Sequence, residues 1–512
     1  MQAKLTTLCI LAATPGFATP SFAPAPLPAH EYGGGWEHFV GGGVAAFDCD
    51  GDMLPELYAA GGGNASKLMR NRTGAPGAPL RFEEDTPDAL DITGVIGAYP
   101  IDIDGDSILD LAVLRVGSDM VLKGLGNCAF APFEDLNFQS DDHWSTAFSA
   151  TFEPGHSLPT LAFGTYVDRE NDKGPFETCD ATLLYRPDGQ TYGAPQRLEP
   201  GFCALSMLFT DWARTGHADL RVSNDRHYYV KGGQEQMWAM DAEPRLYDTE
   251  DGWKAYQLWG MGIASRDVNG DGYSDVFLTS MGDQKLQYFD PAAMGPAYND
   301  ATYERGTTAH RPYMGPDGRP STGWHAAFGD VNNDGRDDIF IAKGNVEQMP
   351  DAAMQDPNNL LMQDTLGHFH EQGEQAGIAT LARSRGAVLA DLNLDGRLDL
   401  AVVNRRAPME LYQNTSDAGN YLLVSLEGKH TNTQAIGAHV EVRTKAHTWV
   451  QEVTLGGGHA SGYSGALHFG VGEAQDAQIR VIWPDQSPSN WMDVQTNHHI
   501  KLSPETGLSV LR

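Results

Sequence analysis

Positive charge is what this sequence most lacks: 35 Lys and Arg stand against 68 Asp and Glu, giving a formal charge of −33 and a pI near 4.7. The deficit removes the basic face that phosphate recognition needs, so nucleic acid is not an expected partner, and neither is an anionic membrane surface. Long hydrophobic runs are missing too. No apolar stretch reaches the roughly 18 residues of a spanning helix, so no integral membrane segment is expected. Cysteine is scarce, five in 512 residues, and without a Cys-x-x-Cys pair a structural zinc site is not expected. Also absent are a Gly-x-Ser-x-Gly elbow, a phosphate loop, a dinucleotide fingerprint and a His-Glu-x-x-His helix. Binding is therefore expected rather than catalysis. What is present in quantity is punctuation: 58 Gly and 29 Pro are dispersed along a chain that is 41% hydrophobic, as many short strands and turns require.

The acid is not scattered. Five segments share one grammar: an apolar run, Asp-x-(Asp/Asn)-x-Asp, a carboxylate at position 9, and a second apolar run. They are Asp48-Asp50-Asp52-Glu56, Asp102-Asp104-Asp106-Asp110, Asp267-Asn269-Asp271-Asp275, Asp330-Asn332-Asp334-Asp338 and Asp391-Asn393-Asp395-Asp399. Oxygen side chains at positions 1, 3 and 5 let a tight loop close around a hard cation, with Gly51, Gly105, Gly270, Gly335 and Gly396 easing the turn. Calcium suits such a set, because it accepts six to eight oxygens in flexible geometry. An EF-hand is excluded at position 12, where it needs a bidentate Glu but the sequence has Ala59, Val113, Leu278, Ile341 and Val402. A strand, not a helix, is expected after each loop. About five calcium ions follow.

Two further copies are eroded. Phe152, Pro154, His156 and Thr160 stand at positions 1, 3, 5 and 9 of the third unit and exclude calcium. The fourth keeps Asp211 and Asp219 but has Ala213 and Thr215 between them, so weak or no binding is expected. With these copies there are seven units, and seven four-stranded units would close a ring and leave no long exposed sheet edge. From about Asn420 three alternating segments, Tyr421 to Leu426, His439 to Arg443 and Gln478 to Trp483, read as a small β-sandwich. The expected fold is all-β: a seven-bladed β-propeller over 24–417 and a β-sandwich over 418–512. His468 in this second domain is read as a structural histidine.

The repeats resemble FG-GAP/VCBS units, the calcium-loop propeller units also found in integrin α-subunits. The tail, with Ala435-Ile436-Gly437-Ala438, Leu467 to Gly472 and Val481 to Asp485, is similar to the ASPIC/UnbV domain of bacterial proteins related to cartilage acidic protein 1. The resemblance implies an extracellular, calcium-stabilised scaffold for recognition or adhesion, and supplies no catalytic chemistry.

At the N-terminus, Lys4, the apolar Leu8 to Ala13 and the small residues Ser21 and Ala23 read as a secretory signal over 1–23, with a cut after Ala18 as the alternative. A secreted or periplasmic location follows. Loss of the leader removes Cys9 and leaves Cys49, Cys128, Cys179 and Cys203, an even set that fits two disulfides of open pairing, Cys179 and Cys203 being nearest in sequence.

Residues just before each first strand should gather on the face opposite the loops: His38 and Gly41 to Gly43, His143 and Trp144, Trp259 and Met261, Trp324 and His325, and Arg383 and Arg385. His38, His143, Trp144, Trp324, His325, Arg383 and Arg385 are the ligand-face candidates, for an unidentified extracellular protein or glycan; Trp259 and Met261 are expected to fill the channel. A second reading is a polysaccharide lyase drawing acid and base from His217, His227, Tyr228 and Tyr229.

Overall fold

The computed structural model describes residues 19–170, 178–225 and 232–512. Among them the chain is almost wholly β, its α-helical turns being Thr302–Arg305 and Gly373–Ala376. Each unit folds from its own spacing. In unit six the apolar run forms strand Gly323–Gly329, the acidic loop reverses the chain, and position 9 opens the antiparallel strand Asp338–Lys343, with Gly329 opposite Asp338. Asn359–Gln363 and Phe369–Glu371 complete a four-stranded sheet.

The other first strands are Val44–Phe47, Val95–Ile101, His143–Thr151, Ala204–Thr210, Gly260–Arg266 and Ser384–Ala390. They are buried on both faces, which is why they read as continuous apolar and small-residue runs rather than alternating ones. Each touches the next in chain order and the last touches the first, so the succession closes on itself.

The closing sheet borrows its outer strand from the far end of the chain. Phe22–Ala25 pairs with Glu410–Asn414, and Phe22 is buried with Val331, Leu400 and Tyr412. The expected leader boundary at Ala23 falls inside this strand, and the alternative at Ala18 falls before it. Residues 1–18 of the expected leader lie outside the described residues.

Two disulfides form, Cys49–Cys128 and Cys179–Cys203, closing 79 and 24 residues. The first ties the loop of unit one to unit two. On chain-entropy grounds, Ser substitution of Cys49 and Cys128 is expected to lower stability by about 4 kcal/mol, and of Cys179 and Cys203 by about 3 kcal/mol. Urea unfolding would read both.

After the short stretch at 415–419 the chain builds two four-stranded sheets, one around Asn420–Leu426 and one around His439–Arg443, that share a core of Leu422, Val424, Val440, Phe469, Ile479 and Ile500. This C-terminal domain sits on the acidic-loop face of the ring. Its segment from Leu455 to Tyr463 leaves the domain and enters the axis among the first strands, bridging to Ala150, Leu208, Ile263 and Ala98, and then pairing with Ala46.

Candidate functional site

The five acidic loops share one internal bonding plan. The position-1 carboxylate accepts backbone N–H bonds from further along its loop: Asp48 from Gly51 (2.7 Å) and Met53 (2.8 Å), Asp102 from Gly105 and Ser107 (both 2.8 Å), Asp267 from Gly270 and Gly272 (both 2.9 Å), Asp330 from Asp334 (3.0 Å) and Gly335 (2.6 Å), and Asp391 from Asp395 (3.1 Å) and Gly396 (2.8 Å). Position 5 accepts from the N–H two residues on, as Asp52 does from Leu54. Position 9 stitches the loop to the sheet. Glu56, Asp110, Asp275, Asp338 and Asp399 accept from the N–H of position 2 and from the third strand or its end, as Asp110 does from Ile103 (2.9 Å) and Gly124 (2.8 Å).

This plan forces left-handed backbone at positions 4 and 6. Glycine supplies both in unit five, at Gly270 and Gly272, but unit one has Met53 at position 6 with φ 73°, and unit seven has Leu394 at position 4 with φ 58°. Met53 is exposed, so Met53→Gly is expected to stabilise the protein by about 1 kcal/mol through relief of left-handed strain; a melting curve would measure it.

The loops concentrate negative charge where water is excluded. The position-9 carboxylates are buried, and burial, reinforced by the other carboxylates of each loop, pushes Glu56 and Asp275 up to about 8 and Asp110 up to about 7. Asp338 and Asp399 are raised in the same way, and burial lifts Asp267 and Asp391 to about 7. Asp48, Asp50 and Glu56 bring oxygens within 4.8 Å of one another, as do Asp102, Asp104 and Asp110. Asn393, at position 3 of unit seven, is fully buried and its Oδ1 has no donor; Asp50 Oδ1 in unit one is also unpartnered. Oxygen-only donors, mutual repulsion and orphaned buried oxygens all fit a hard cation. Basic side chains meet part of the charge: Arg70 pairs with Asp50 at 2.9 Å, Lys123 with Asp104 and Asp106, Arg336 with Asp334 and Arg397 with Asp395. Cys49 and Cys128 also approach Glu56, but their sulfurs are bonded to each other and offer no thiolate.

The eroded units show what replaces a cation. In unit three Thr160 and Arg186 both donate to Glu153 (2.7 and 2.9 Å), so a guanidinium neutralises the loop. In unit four Asp219 accepts from Trp212 Nε1 (2.7 Å), Tyr247 Oη (2.9 Å) and Met240 N (2.9 Å). Burial favours its protonation, but His217 and these donors hold it below the ordinary carboxylate range. His217 is thus committed to Asp219; His227, Tyr228 and Tyr229 lie outside the described residues.

On the opposite face, four of the seven ligand-face candidates turn inward. Trp144, Trp324, His325 and Arg385 are buried. Trp324 Nε1 donates to Gly344 O (2.7 Å), Arg385 stacks on Trp324 at 4.1 Å and donates to Phe39 O and Val346 O, and His325 Nδ1 accepts from His459 N (3.0 Å). Met261 fills the channel with them, and Trp259 is half-buried. The inward turn has a simple cause: bulky side chains at the narrow centre of a closed ring have only each other and the axial segment to pack against. His38, His143 and Arg383 keep partial exposure, His143 on Asp180 at 3.0 Å and Arg383 on Glu347 O at 3.1 Å. Beside them Trp36 is half exposed, stacked on Phe39 at 4.6 Å.

Sequence reasoning missed the axial segment, His459 within it, and the cluster of Arg405 and Arg406 on Glu347. Its trace was the run Gly456-Gly457-Gly458 and a glycine in several first strands, Gly97, Gly262 and Gly386, with Gly43 just before another.

Residues 267–341 match a family model described as an FG-GAP-like repeat, and residues 428–509 one described as ASPIC and UnbV. No curated protein matches. Among solved structures, BBS1N in complex with ARL6DN is 10% identical at a TM-score of 0.44, covering 77% of this chain and 97% of that one. The BP39L lectin from Burkholderia pseudomallei is 11% identical at a TM-score of 0.44, covering 74% and 97%. An N-acetylglucosamine-recognising lectin of Agrocybe aegerita is 12% identical at 0.39, covering 73% and 94%. The chain carries FG-GAP-like repeat sequence followed by a C-terminal ASPIC and UnbV domain.

Proposed function

We propose that this protein is an exported calcium-binding scaffold: a seven-bladed β-propeller that carries a small β-sandwich and presents a recognition or adhesion surface to an extracellular protein or glycan. Five calcium ions serve stability, one in each intact loop. Asp48, Asp50, Asp52 and Glu56 and their counterparts in units two, five, six and seven hold them, and the ion supplies the positive charge that each buried carboxylate set lacks. The observation that carries the reading is one bonding plan repeated in five loops, each ending in a buried position-9 carboxylate. Ligand contact falls to the partly exposed His38, His143 and Arg383, with Trp36 as an aromatic platform. Two disulfides suit an oxidising compartment.

Metal analysis of purified chain dialysed against calcium is expected to give five ions per chain, and Asp275→Asn four. A metal-free chain under saturating calcium would end the proposal. For the ligand, a glycan and surface-protein array probed with wild type and with a His38→Ala, Trp36→Ala double variant is expected to show binding that the variant loses.

A further inference from the structure

The C-terminal domain is held by the backbone of the acidic loops themselves. Gly419 N donates to Asn332 O and Gly472 N to Asn333 O, both at 2.9 Å. Trp449 Nε1 donates to Gly335 O (2.9 Å), and His468 Nε2 lies 3.0 Å from Gly396 O. In unit two Thr433 Oγ1 donates to Asp102 Oδ2, while Asp102 N donates to Gln434 Oε1 at 2.8 Å. Unit four, which lacks a cation set, holds the domain through an ion pair and a buried carboxylate: Arg214 pairs with Glu441, and Glu452 accepts from Asp211 N and Thr210 Oγ1, each at 2.6 Å.

From that seat the axial segment bonds to one first strand after another. Gly457 N donates to Met207 O (2.7 Å), Gly458 N to Ile263 O (2.6 Å), Ala46 N to Gly462 O (3.0 Å) and Val44 N to Ser461 Oγ (3.1 Å), and Gly41 N meets His459 Nε2 at 3.1 Å. The fit admits no side chains on the strand side: a Cβ at Gly43 or Gly97 would lie 1.7 or 2.0 Å from Ala460 O.

We propose that the C-terminal domain is a cation-gated plug of the ring, its segment from Leu455 to Tyr463 acting as a built-in extended peptide ligand of the axis. The proposal rests on the calcium reading above. Loops two, six and seven offer their docking atoms only in the folded-back conformation that gathers three or four oxygens. Removing the cation leaves buried like charges facing one another, and opening the loop relieves them, which withdraws Asn332 O, Asn333 O, Gly335 O and Gly396 O from the domain. The contacts of unit four do not depend on a cation and keep the domain tethered while the axis empties.

The test is amide hydrogen exchange on the full chain at about 10 °C, before and after chelation, with metal content measured on the same samples. Loss of metal is expected to speed exchange at Gly457, Gly458, Val44 and Ala46 at least tenfold, with Leu161 to Phe163 of the cation-free third unit unchanged. Metal loss with full protection retained at Gly457 and Gly458 would overturn the gate and leave the calcium reading standing. Equal acceleration in unit three would overturn it too, as global opening. A chain that never held metal would remove both readings. Gly97→Ala, which crowds Ala460, is expected to expose the same amides at full calcium occupancy; unchanged protection in that variant would refute the close axial fit on which the plug depends.

Discussion

Chelation is expected to lower the melting temperature of the calcium-loaded chain by up to about 13 °C. An ion present at about 100 times its dissociation constant stabilises the folded state by roughly 2.7 kcal/mol per site, so five independent sites contribute at most about 13 kcal/mol. At about 2.1 cal/mol/K per residue, unfolding some 490 residues carries an entropy near 1 kcal/mol/K, which converts that free energy into the stated shift. Calcium back-titration should raise the melting temperature with the logarithm of free calcium once the ion exceeds its dissociation constant, and magnesium, which dehydrates reluctantly, should restore far less. The expectation has an internal control. Units three and four already neutralise their loops with Arg186 on Glu153 and with His217, Trp212 and Tyr247 around Asp219, so the opening of those two loops should not respond to chelator. An unchanged melting curve, with metal shown to have left, would remove calcium from the stability of the fold.

The loops were legible because their chemistry is written in side chains at fixed spacing. Asp at positions 1 and 5 and a carboxylate at 9 have few other reasons to recur with an apolar run on each side, and the strand after each loop followed from the apolar run that opens at position 9. Three features were not legible, each for a physical reason. The axial segment makes its contacts through backbone, so Gly456 to Gly458 carry no signature beyond smallness. The inward turn of Trp324, His325 and Arg385 depends on the radius of the closed ring, which no local window contains; a guanidinium in sequence reads as a surface group, yet Arg385 is buried over Trp324 among four carbonyls. Finally, Phe22–Ala25 pairs with a strand nearly 400 residues away, so a leader-like composition and a strand overlapped with nothing local to separate them. The pairing of Cys49 with Cys128 belongs to the same class, since it joins two units rather than bracing one.

Acid is expected to unfold the calcium-loaded protein well before most of its surface carboxylates matter, and buried histidines set the slope. Burial holds His325, His439 and His468 down at about 4 and His459 at about 3, against an ordinary value of 6.5. Nearby cations add to this: Arg385 faces His459, Arg214 faces His439, with Glu441 opposing, and Arg266 faces His468. All four are neutral when folded and protonate readily when unfolded, so the unfolded state binds more protons below pH 6.5 and stability falls as pH falls. Their contribution is complete above about 6.5 and is lost progressively down to about 4. Each group changes stability by about 1.4 kcal/mol per pH unit within that window, and four give at most about 5 kcal/mol per unit. His459→Gln isolates one of them. Gln stays neutral at every pH, so the variant should be the less stable protein at pH 7.5, where it loses the fit of the imidazole between Gly41 N and Met261 O, and should lose stability about 1.4 kcal/mol per unit less steeply between pH 6 and 4.5. Urea unfolding of both proteins at matched pH and calcium measures the difference directly, because any common loss of metal cancels. Parallel stability curves for the two would mean that His459 takes up its proton inside the folded axis at no cost, and that the axis around it is wet rather than packed.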